Sequence, residues 1–432
     1  MARPDPSEQH RSAPGRRAVL RTGLLAAGGL GVATVAATSP TSPSSAGLPA
    51  PDGGLAERPG SSPGTGASGT RSAGDTVAFR GARQAGVVDA PQPFASFVGL
   101  DLPPGATRET CARLMRVWTD DIERLMAARG PLTDLEPELA AVPSRLSVTV
   151  AVGPGFYDAA GLAADRPAWL APLPSLPIDR FTDDWPQTDL LLQVRADSPV
   201  AVAHAQRRLV VGADPLAVQR WVQRGFREPL TDTRPGLVFR NQFGQVDGTV
   251  QPRVDGPDDP LVWIGGDGAP APKGLRDGSS VVVRRIAMNL ETWDEADRTA
   301  RENAVGRTLS TGAPVTGERA SDPPDLLATD GLGFPVIDAA SHMRRAMPAE
   351  PHERILRQPY SYDDAPAPGA RTNTGLVFVS FQADPVRQFL PLQRRLAEAD
   401  LMNIWTTPIG SGVYAVLPGA QPGEVLGAAL LA

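Results

Sequence analysis

The sequence predicts an α+β fold made of two similar halves, each an antiparallel sheet with helices packed on one face. This prediction rests on three segments in which an apolar strand is followed by an Asp/Pro turn and an amphipathic helix. Their strands contain Phe97, Leu190 and Leu376. In the last two segments a Gln-Arg-Arg-Leu run, beginning at Gln206 and Gln393, lies equally far beyond the turn aspartate. Two copies of a split βαβ unit explain the repeat.

The rest of the chain supports the same organisation. Residues 146–152, 280–289 and 412–417 are rich in β-branched residues and predict further strands. An aspartate close before a proline, as in Asp197-Ser198-Pro199 and Asp384-Pro385, predicts a helix N-cap followed by a first helical position. A chance likeness among strand–turn–helix segments is the alternative interpretation.

Length and charge set broad limits. The chain has 432 residues, and the part able to fold begins near residue 78. Chains of this length tend to divide, so we expect an N-terminal domain over 78–240 and a C-terminal domain over 241–432. The net charge of −6 offers no attraction to a phosphate backbone, so we expect no nucleic-acid partner.

Side chains that bind metals are few. Cys111 is the one cysteine, which excludes an intrachain disulfide and a cysteine-ligated zinc or iron–sulfur centre. The four histidines are His10, His204, His342 and His352. Any iron held by imidazole therefore has a very short list of candidate ligands.

The N-terminus has the architecture of an export signal. In residues 1–37 a basic segment with Arg16 and Arg17 precedes a short apolar stretch. The paired arginines favour the twin-arginine type; a general secretory signal or a membrane anchor are the alternatives. We expect an extracellular, periplasmic or cell-surface protein with no stable membrane span once the signal is removed. Residues 38–77, rich in Ser, Pro and Gly, predict a disordered linker.

Five short motifs in the second half of the chain carry a family resemblance. They are, in order, Gly244-Gln245-Val246-Asp247-Gly248-Thr249, Ala340-Ser341-His342-Met343-Arg344-Arg345, Ile355-Leu356-Arg357-Gln358-Pro359-Tyr360, Gly375-Leu376-Val377-Phe378-Val379 and Ile409-Gly410-Ser411-Gly412. Together they resemble the dye-decolorising peroxidase family, in particular its twin-arginine-exported, deferrochelatase-like branch associated with iron uptake. The likeness runs from about residue 86 to the C-terminus.

The resemblance implies a fold, a cofactor and a set of site residues. It implies two ferredoxin-like halves with b-type haem in the C-terminal half. His342 would be the axial ligand of the haem iron, and Asp400 would hydrogen-bond that histidine. Asp247 would be the acid–base residue and Arg357 the arginine on the opposite, distal side of the haem. Phe378 would form part of the apolar wall there.

These residue types suit peroxide chemistry. A carboxylate can take a proton from hydrogen peroxide and return it to the leaving oxygen, and a permanently charged guanidinium stabilises the departing hydroxide. A carboxylate on the second nitrogen of an iron-bound imidazole makes that ligand more basic. The alternatives are a turn aspartate for Asp247, a surface arginine for Arg357, and His352 in place of His342. His204 is expected to be structural, and His10 leaves with the signal.

Two departures from the family pattern bear on substrate range. Many relatives have Arg-Arg-Gly where this chain has Arg357-Gln358-Pro359, and many have Asn-Pro where it has Met347-Pro348. Neither change removes a reacting group. Both can reshape the pocket or the access to the haem.

The resemblance thus implies a haem peroxidase that reduces hydrogen peroxide and oxidises dyes, phenols and other small or bulky aromatic donors through a ferryl intermediate. Tyr360, Tyr362, Tyr414 and Trp405 are candidate relays for bulky donors. One alternative is release of iron from haem in an exported iron-uptake system, whose components would be partners. Another is a non-catalytic exported binding module. Relatives often form homo-oligomers, which is a further expectation.

Overall fold

The computed structural model describes residues 75–228 and 239–432. The predicted export signal, and all but the last three residues of the predicted linker, lie outside the described residues. In the described part of the chain, no helix is both long and apolar enough to cross a membrane.

The N-terminal part contains four strands and three helices. These are β1 (Phe94–Asp101), α1 (Arg108–Met126), β2 (Ser147–Val152), α2 (Pro154–Ala159), β3 (Leu190–Ala196), α3 (Pro199–Ala213) and β4 (Val218–Phe226). Helix α1 begins with a capping box, in which Thr107 and Thr110 each accept a backbone N–H of the other through their hydroxyls. Short 3₁₀ turns lie at Pro137–Leu139 and Ala163–Asp165.

The C-terminal part contains five strands and six helices. These are α4 (Asp259–Val262), β5 (Ser279–Met288), α5 (Leu290–Glu295), α6 (Arg298–Val305), α7 (His342–Arg345), β6 (Leu356–Arg357), β7 (Tyr360–Asp363), β8 (Thr374–Gln382), α8 (Phe389–Ala399), β9 (Thr406–Val416) and α9 (Ala428–Leu431). A 3₁₀ turn at Leu401–Ile404 precedes β9. Every strand predicted from the sequence is present, and β9 begins six residues earlier than expected.

The strands of the two halves have the same spatial order. In the N-terminal part the order is β4-β1-β3-β2, and in the C-terminal part it is β7-β8-β5-β9. Numbered within each part, with the two-residue β6 left out, both orders place the first strand between the third and the fourth. Strand β6 pairs with β8 on the same edge as β7. The repeat seen in the sequence is therefore a repeat of topology.

The antiparallel sheets predicted for the two halves are joined at their edges, so the halves share one sheet. Strand β2 pairs with β9 at Ala151↔Val416, and β4 pairs with β7 at Phe226↔Ser361. With β5 also paired to β8, eight strands form a closed antiparallel ring. Closure leaves few exposed strand edges, which stabilises an antiparallel sheet against pairing with other chains.

Three apolar clusters follow from this ring. One fills its interior with residues that include Phe97, Val379 and Tyr414. A second lies under α1 and α3 on the outer face of the N-terminal part, where Trp118 and Leu209 are fully buried. The third lies on the outer face of the C-terminal part among short helices and loops. Short helices cover that face less completely than α1 and α3 cover theirs.

The predicted aspartate N-caps are wrong in both copies. Helix α3 is capped by Ser198, whose hydroxyl accepts the N–H of Ala201, while Asp197 pairs with Arg145. Helix α8 begins later than expected, and Asp384 instead accepts the N–H groups of Val386 and Arg387 in the preceding turn. A side chain one residue further along, or a tight aspartate turn, competes with the cap.

Candidate active site

A histidine–aspartate pair lies at the start of α7. The Nδ1 atom of His342 is 2.6 Å from Oδ2 of Asp400, and Oδ1 of Asp400 accepts the N–H of Met402. The N–H of Leu401 donates to the carbonyl of Ala340, which ties the acid's turn to the segment before the histidine. An ionised carboxylate only accepts hydrogen bonds, so Nδ1 donates and Nε2 keeps its lone pair.

The second nitrogen of this histidine, Nε2, has no hydrogen-bond partner among the described residues, and the side chain is partly exposed. The His342 side chain is 41 % exposed, whereas that of Asp400 is 4 % exposed. Burial of the imidazole within the fold lowers its pKa, but the charge and hydrogen bond of Asp400 outweigh this effect, so the pKa of His342 is raised. A more basic imidazole with a free lone pair is suited to bind a metal ion.

Asp247 lies on a loop that is fixed at several points. Its N–H donates to the carbonyl of Phe239, and Gly244 and Gly248 beside it have φ of +76° and +78°. The guanidinium of Arg240 donates to the carbonyls of Gly244, Leu309 and Ser310. Glycine adopts these positive φ angles without strain, so the sequence allows the tight turn that presents the carboxylate.

Arg357 lies against this carboxylate. Its Nη1 atom is 3.2 Å from Oδ1 of Asp247, and its Nη2 atom donates to the carbonyl of Val250. Both side chains are mostly buried, with exposed fractions of 27 % for Arg357 and 13 % for Asp247. The arginine is the second residue of β6, where it pairs with Ser380 of β8. Residues 110 positions apart are thus joined in one ion pair.

The two pairs face each other across a gap. The charges of Arg357 and Asp247 both act on the His342 imidazole, the first lowering and the second raising its pKa. Yet among the described residues no hydrogen bond or ion pair joins His342 to either of them. The Asp247–Arg357 ion pair therefore lies near enough to His342 for its charges to act on the imidazole, without a hydrogen bond to it.

Apolar side chains border this cleft. Phe378 is the one residue of β8 that is not buried, and its ring lies 5.7 Å from that of Phe389. Ile286 and Leu376, paired across β5 and β8, belong to the neighbouring apolar cluster. A cavity of about 330 Å³ is lined by Asp247 and Arg357 and, among others, by Arg227.

The sequence analysis missed two arginines near the site. Arg307 is buried and donates to the carbonyls of Gly312 and Ala320, and none of the described carboxylates pairs with it. Burial, and to a lesser degree Arg357, lowers the pKa of Arg307. Arg227 stacks 4.5 Å from the centre of the Phe239 ring. Neither lies in a motif, and nothing in the sequence separates them from the other arginines.

The remaining histidines and aromatics are placed as follows. His352 is exposed, and His204 is buried and paired with Asp134 at 2.9 Å. Tyr360, Tyr362 and Tyr414 are buried in the ring interior, where burial raises the pKa of the last two to about 12. Trp405 is partly exposed and contacts Trp293 at 5.0 Å between ring centres. Their role as relays stays a prediction.

The donor set fits a haem iron. A carboxylate-supported imidazole is a common axial ligand, an apolar wall suits the porphyrin face, and a buried arginine without a carboxylate partner suits an anionic substituent. The fit rests on His342, Phe378 and Arg307.

Comparison with known proteins decides the family. The sequence profile of the Dyp-type peroxidase N-terminal domain matches residues 84–227, and that of the C-terminal domain matches residues 239–421. The chain belongs to the Dyp-type peroxidase family. It is therefore a haem peroxidase, and haem is its cofactor.

Individual relatives agree with this assignment. The dye-decolorizing peroxidase of Thermobifida fusca is 35 % identical over 370 residues, which cover 81 % of this chain and 86 % of the relative. The deferrochelatase of Escherichia coli (strain K12) is 31 % identical over 373 residues, covering 82 % and 86 %.

Solved structures of Dyp-type peroxidases superpose closely. That of Cellulomonas bogoriensis is 49 % identical with a TM-score of 0.80, covering 83 % of this chain and 99 % of its own. The oxyferrous complex of DtpA from Streptomyces lividans is 35 % identical with a TM-score of 0.78, covering 83 % and 98 %. This Dyp-type peroxidase thus shares its fold with haem-bearing relatives.

Proposed function

We propose that His342 ligates the haem iron through Nε2 in this peroxidase and that Asp247 and Arg357 act on hydrogen peroxide from the opposite side. The observation that carries the proposal is the gap between the two pairs. His342 points an accessible nitrogen into the cleft, and the ion pair of Asp247 and Arg357 is near enough to perturb that imidazole without touching it.

The haem would be held at three places, which are its iron, the faces of its porphyrin ring and its charged propionates. When bound, haem supplies a redox-active iron that accepts the oxidising equivalents of peroxide. His342 would hold the iron through its Nε2 atom, and Asp400 would keep that nitrogen basic. Phe378 would lie against the porphyrin, and Arg307 would pair with a propionate.

Asp247 and Arg357 have separate tasks in this account. The Asp247 carboxylate would take a proton from one oxygen of hydrogen peroxide and return it to the other oxygen, which leaves as water while bound haem supplies the two electrons. The Arg357 guanidinium stabilises the negative charge on the outer oxygen as the O–O bond breaks. Their 3.2 Å contact keeps both groups within reach of the same peroxide molecule.

Small and bulky electron donors would reach the protein at different places. The cavity of about 330 Å³ beside Asp247 admits peroxide and small aromatic donors. Bulky dyes would be oxidised at the surface, and Trp405 is the best placed of the four candidate relays because it alone is partly exposed.

We further propose that the chain is two ferredoxin-like domains, 78–240 and 241–432. The support is the strand order, which is identical in the two parts and matches a split βαβ unit with its helices on one face. Export by the twin-arginine route is supported by Arg16 and Arg17 ahead of an apolar stretch. Replacing both arginines with lysine would then retain the protein in the cytoplasm of a producing cell.

A second candidate function is release of iron from haem. It is favoured by the likeness to the deferrochelatase of Escherichia coli. In that case an exported iron-uptake system would supply partners. Anaerobic incubation with haem, followed by chromatography of the extracted porphyrin, tests it. Iron-free porphyrin would support this role, and recovery of intact haem alone would exclude it.

The peroxidase function is tested by mixing the haem-loaded protein with one equivalent of hydrogen peroxide in a stopped-flow spectrometer. We expect the Soret band to shift and then to return when a phenol or an anthraquinone dye is added. A Soret band that peroxide leaves unchanged would contradict the proposed function.

A further inference from the structure

The side-chain amide of Gln251 forms hydrogen bonds with both backbone groups of Arg357, its N–H and its carbonyl. The Nε2 atom of Gln251 donates to the carbonyl of Arg357 at 2.8 Å, and the N–H of Arg357 donates to Oε1 of Gln251 at 2.9 Å. A primary amide that bonds N–H and C=O of one residue reproduces the pattern of a neighbouring β-strand. The half-buried Gln251 therefore acts as a one-residue strand partner for β6.

Strand β6 needs such a partner because it is only two residues long. One of its edges pairs with β8, through Leu356↔Phe381 and Arg357↔Ser380. The next strand along the chain, β7, pairs with β4 on its outer edge, but β4 reaches no further than Ser361. At Arg357 the outer edge is taken by Gln251 instead of a strand.

Gln251 also belongs to the loop that carries the distal acid. It lies four residues beyond Asp247, and the carbonyl of the intervening Val250 accepts Nη2 of Arg357. The loop thus holds the arginine at its backbone through Gln251 and at its side chain through Asp247 and Val250. Any displacement of this loop moves both reacting groups together.

We propose that Gln251 is a positioning residue that locks Arg357 in register with Asp247, so that both groups meet one peroxide molecule. The inference deepens the proposed function and rests on the roles given there to Asp247 and Arg357. Gln251 takes no part in the proton transfer. Its effect is on where the guanidinium lies.

Two substitutions of Gln251 distinguish a role in positioning Arg357 from a general effect on the stability of the fold. Gln251→Ala removes both hydrogen bonds. Gln251→Glu keeps the shape, and its protonated carboxyl donates through O–H and accepts through C=O as the amide does. The ionised carboxylate cannot donate, so it faces the Arg357 carbonyl with like partial charge. The glutamate variant should therefore behave like wild type at acidic pH and like the alanine variant at alkaline pH.

Gln84 offers a matched control in the N-terminal part. Its Nε2 atom donates to the carbonyl of Val150 at 2.8 Å, and the N–H of Val150 donates to its Oε1 atom at 2.9 Å. Gln84 thus makes the same two bonds as Gln251, and a third to the carbonyl of Leu417, but the clamped residue is a valine in β2 within the N-terminal core. Gln84→Ala should lower the melting temperature and leave the site unchanged.

The first readout is hydrogen–deuterium exchange of the full chain as purified, resolved to the peptide that contains Arg357. We expect Gln251→Ala to speed exchange of that amide by about tenfold or more, since the hydrogen bond that protects it is gone. Gln84→Ala should leave it unchanged. Exchange at Arg357 that is equal in wild type and Gln251→Ala would overturn the proposal.

The second readout is the rate of the peroxide reaction as a function of pH. Gln251→Ala should slow it by about 10²-fold at every pH, a loss typical of a reacting group displaced by about 1 Å. Gln251→Glu should recover towards wild type as the pH falls. A glutamate variant with the same pH profile as wild type would contradict positioning. If wild type itself does not react with peroxide, the proposed function fails, and the exchange experiment alone then decides whether the clamp exists.

Discussion

Among the described residues, each half of the molecule has one histidine paired with a buried aspartate, and the two pairs differ in the surroundings of the second imidazole nitrogen. In the N-terminal half Nε2 of His204 is 2.9 Å from Asp134, and its Nδ1 atom is buried with no hydrogen-bond partner. In the C-terminal half Nδ1 of His342 is 2.6 Å from Asp400. The side chain of His204 is 2 % exposed and that of His342 is 41 % exposed.

The difference comes from the helices that cover each half. Helix α3 carries His204 and packs along α1, so the imidazole is buried beside Asp134. Helix α7 has only four residues and covers less of the sheet, so the imidazole of His342 reaches a cleft. A carboxylate partner alone therefore does not identify a functional histidine. A functional histidine is identified by a second imidazole nitrogen that is accessible.

The distal pair gives the largest expected difference between the halves. Asp247→Asn and Arg357→Leu should each lower kcat/KM for hydrogen peroxide by about 10²–10⁴-fold, the usual contribution of acid–base catalysis. Asp197→Asn, which weakens the Arg145–Asp197 ion pair of the N-terminal half, is the matched control. It should change kcat/KM less than twofold. Full activity in the doubly substituted distal variant would contradict the mechanism.

Substitution of Asp400 and Asp134, which hydrogen-bond the two histidines, should give a smaller difference between the halves. Asp400→Asn should reduce peroxide reactivity or haem affinity by about 10–100-fold, because an amide supports the imidazole less well than a carboxylate does. Asp134→Asn should lower the melting temperature while the haem spectrum and the peroxide rate stay unchanged. Optical titration with haem and thermal melts measure the two effects. Equal losses of haem affinity in both variants would remove the distinction.

The smallest expected effect is on thermal stability, at the place in the N-terminal half where helices α1 and α3 pack closely. Asp121 on α1 lies against Gly212 of α3, where an added Cβ would come within 2.7 Å of its carboxylate. Burial, then the charge of Asp120, raise the pKa of Asp121 to about 6, although Arg208 and Arg124 oppose the shift.

The sign of the resulting pH dependence is fixed. Because the pKa of Asp121 is higher in the folded than in the unfolded chain, its contribution to stability is present at low pH and is lost as the pH rises through about 6. Asp121→Asn should therefore melt about 2–4 °C above wild type at pH 8, and the two should melt together at pH 4. An equal difference at both pH values would rule out ionisation of Asp121 as the cause.

The sequence predicted the elements well because periodicity and turn chemistry are local. The strands around Leu190 and Leu376 and helix α3 are where they were expected, and α8 contains the second Gln-Arg-Arg-Leu run although it begins later than expected. Closure of the ring was not predicted, because it depends on pairings such as Ala151↔Val416 between distant segments. The helix caps were wrong because one aspartate found an arginine and the other a tight turn.

Prediction of the site has the same limit, because contacts between distant segments leave no local pattern in the sequence. Motifs named His342, Asp247 and Arg357, and the structure brings them to one cleft. Asp400 was found only by family likeness, since nothing local marks an aspartate that contacts a residue 58 positions away. Gln251 and Arg307 were missed because their importance lies in backbone groups they bind, which leave no pattern in the sequence.

Titration of the purified protein with haem tests the central claim most directly, with His342→Ala and His204→Ala measured side by side. The account predicts that the His204 variant binds one haem with the Soret spectrum of wild type, though it melts at a lower temperature. The His342 variant should lose that spectrum and regain it in part when imidazole is added to fill the vacated position. A His342 variant that binds haem with an unchanged spectrum would contradict the assignment of this histidine as the ligand.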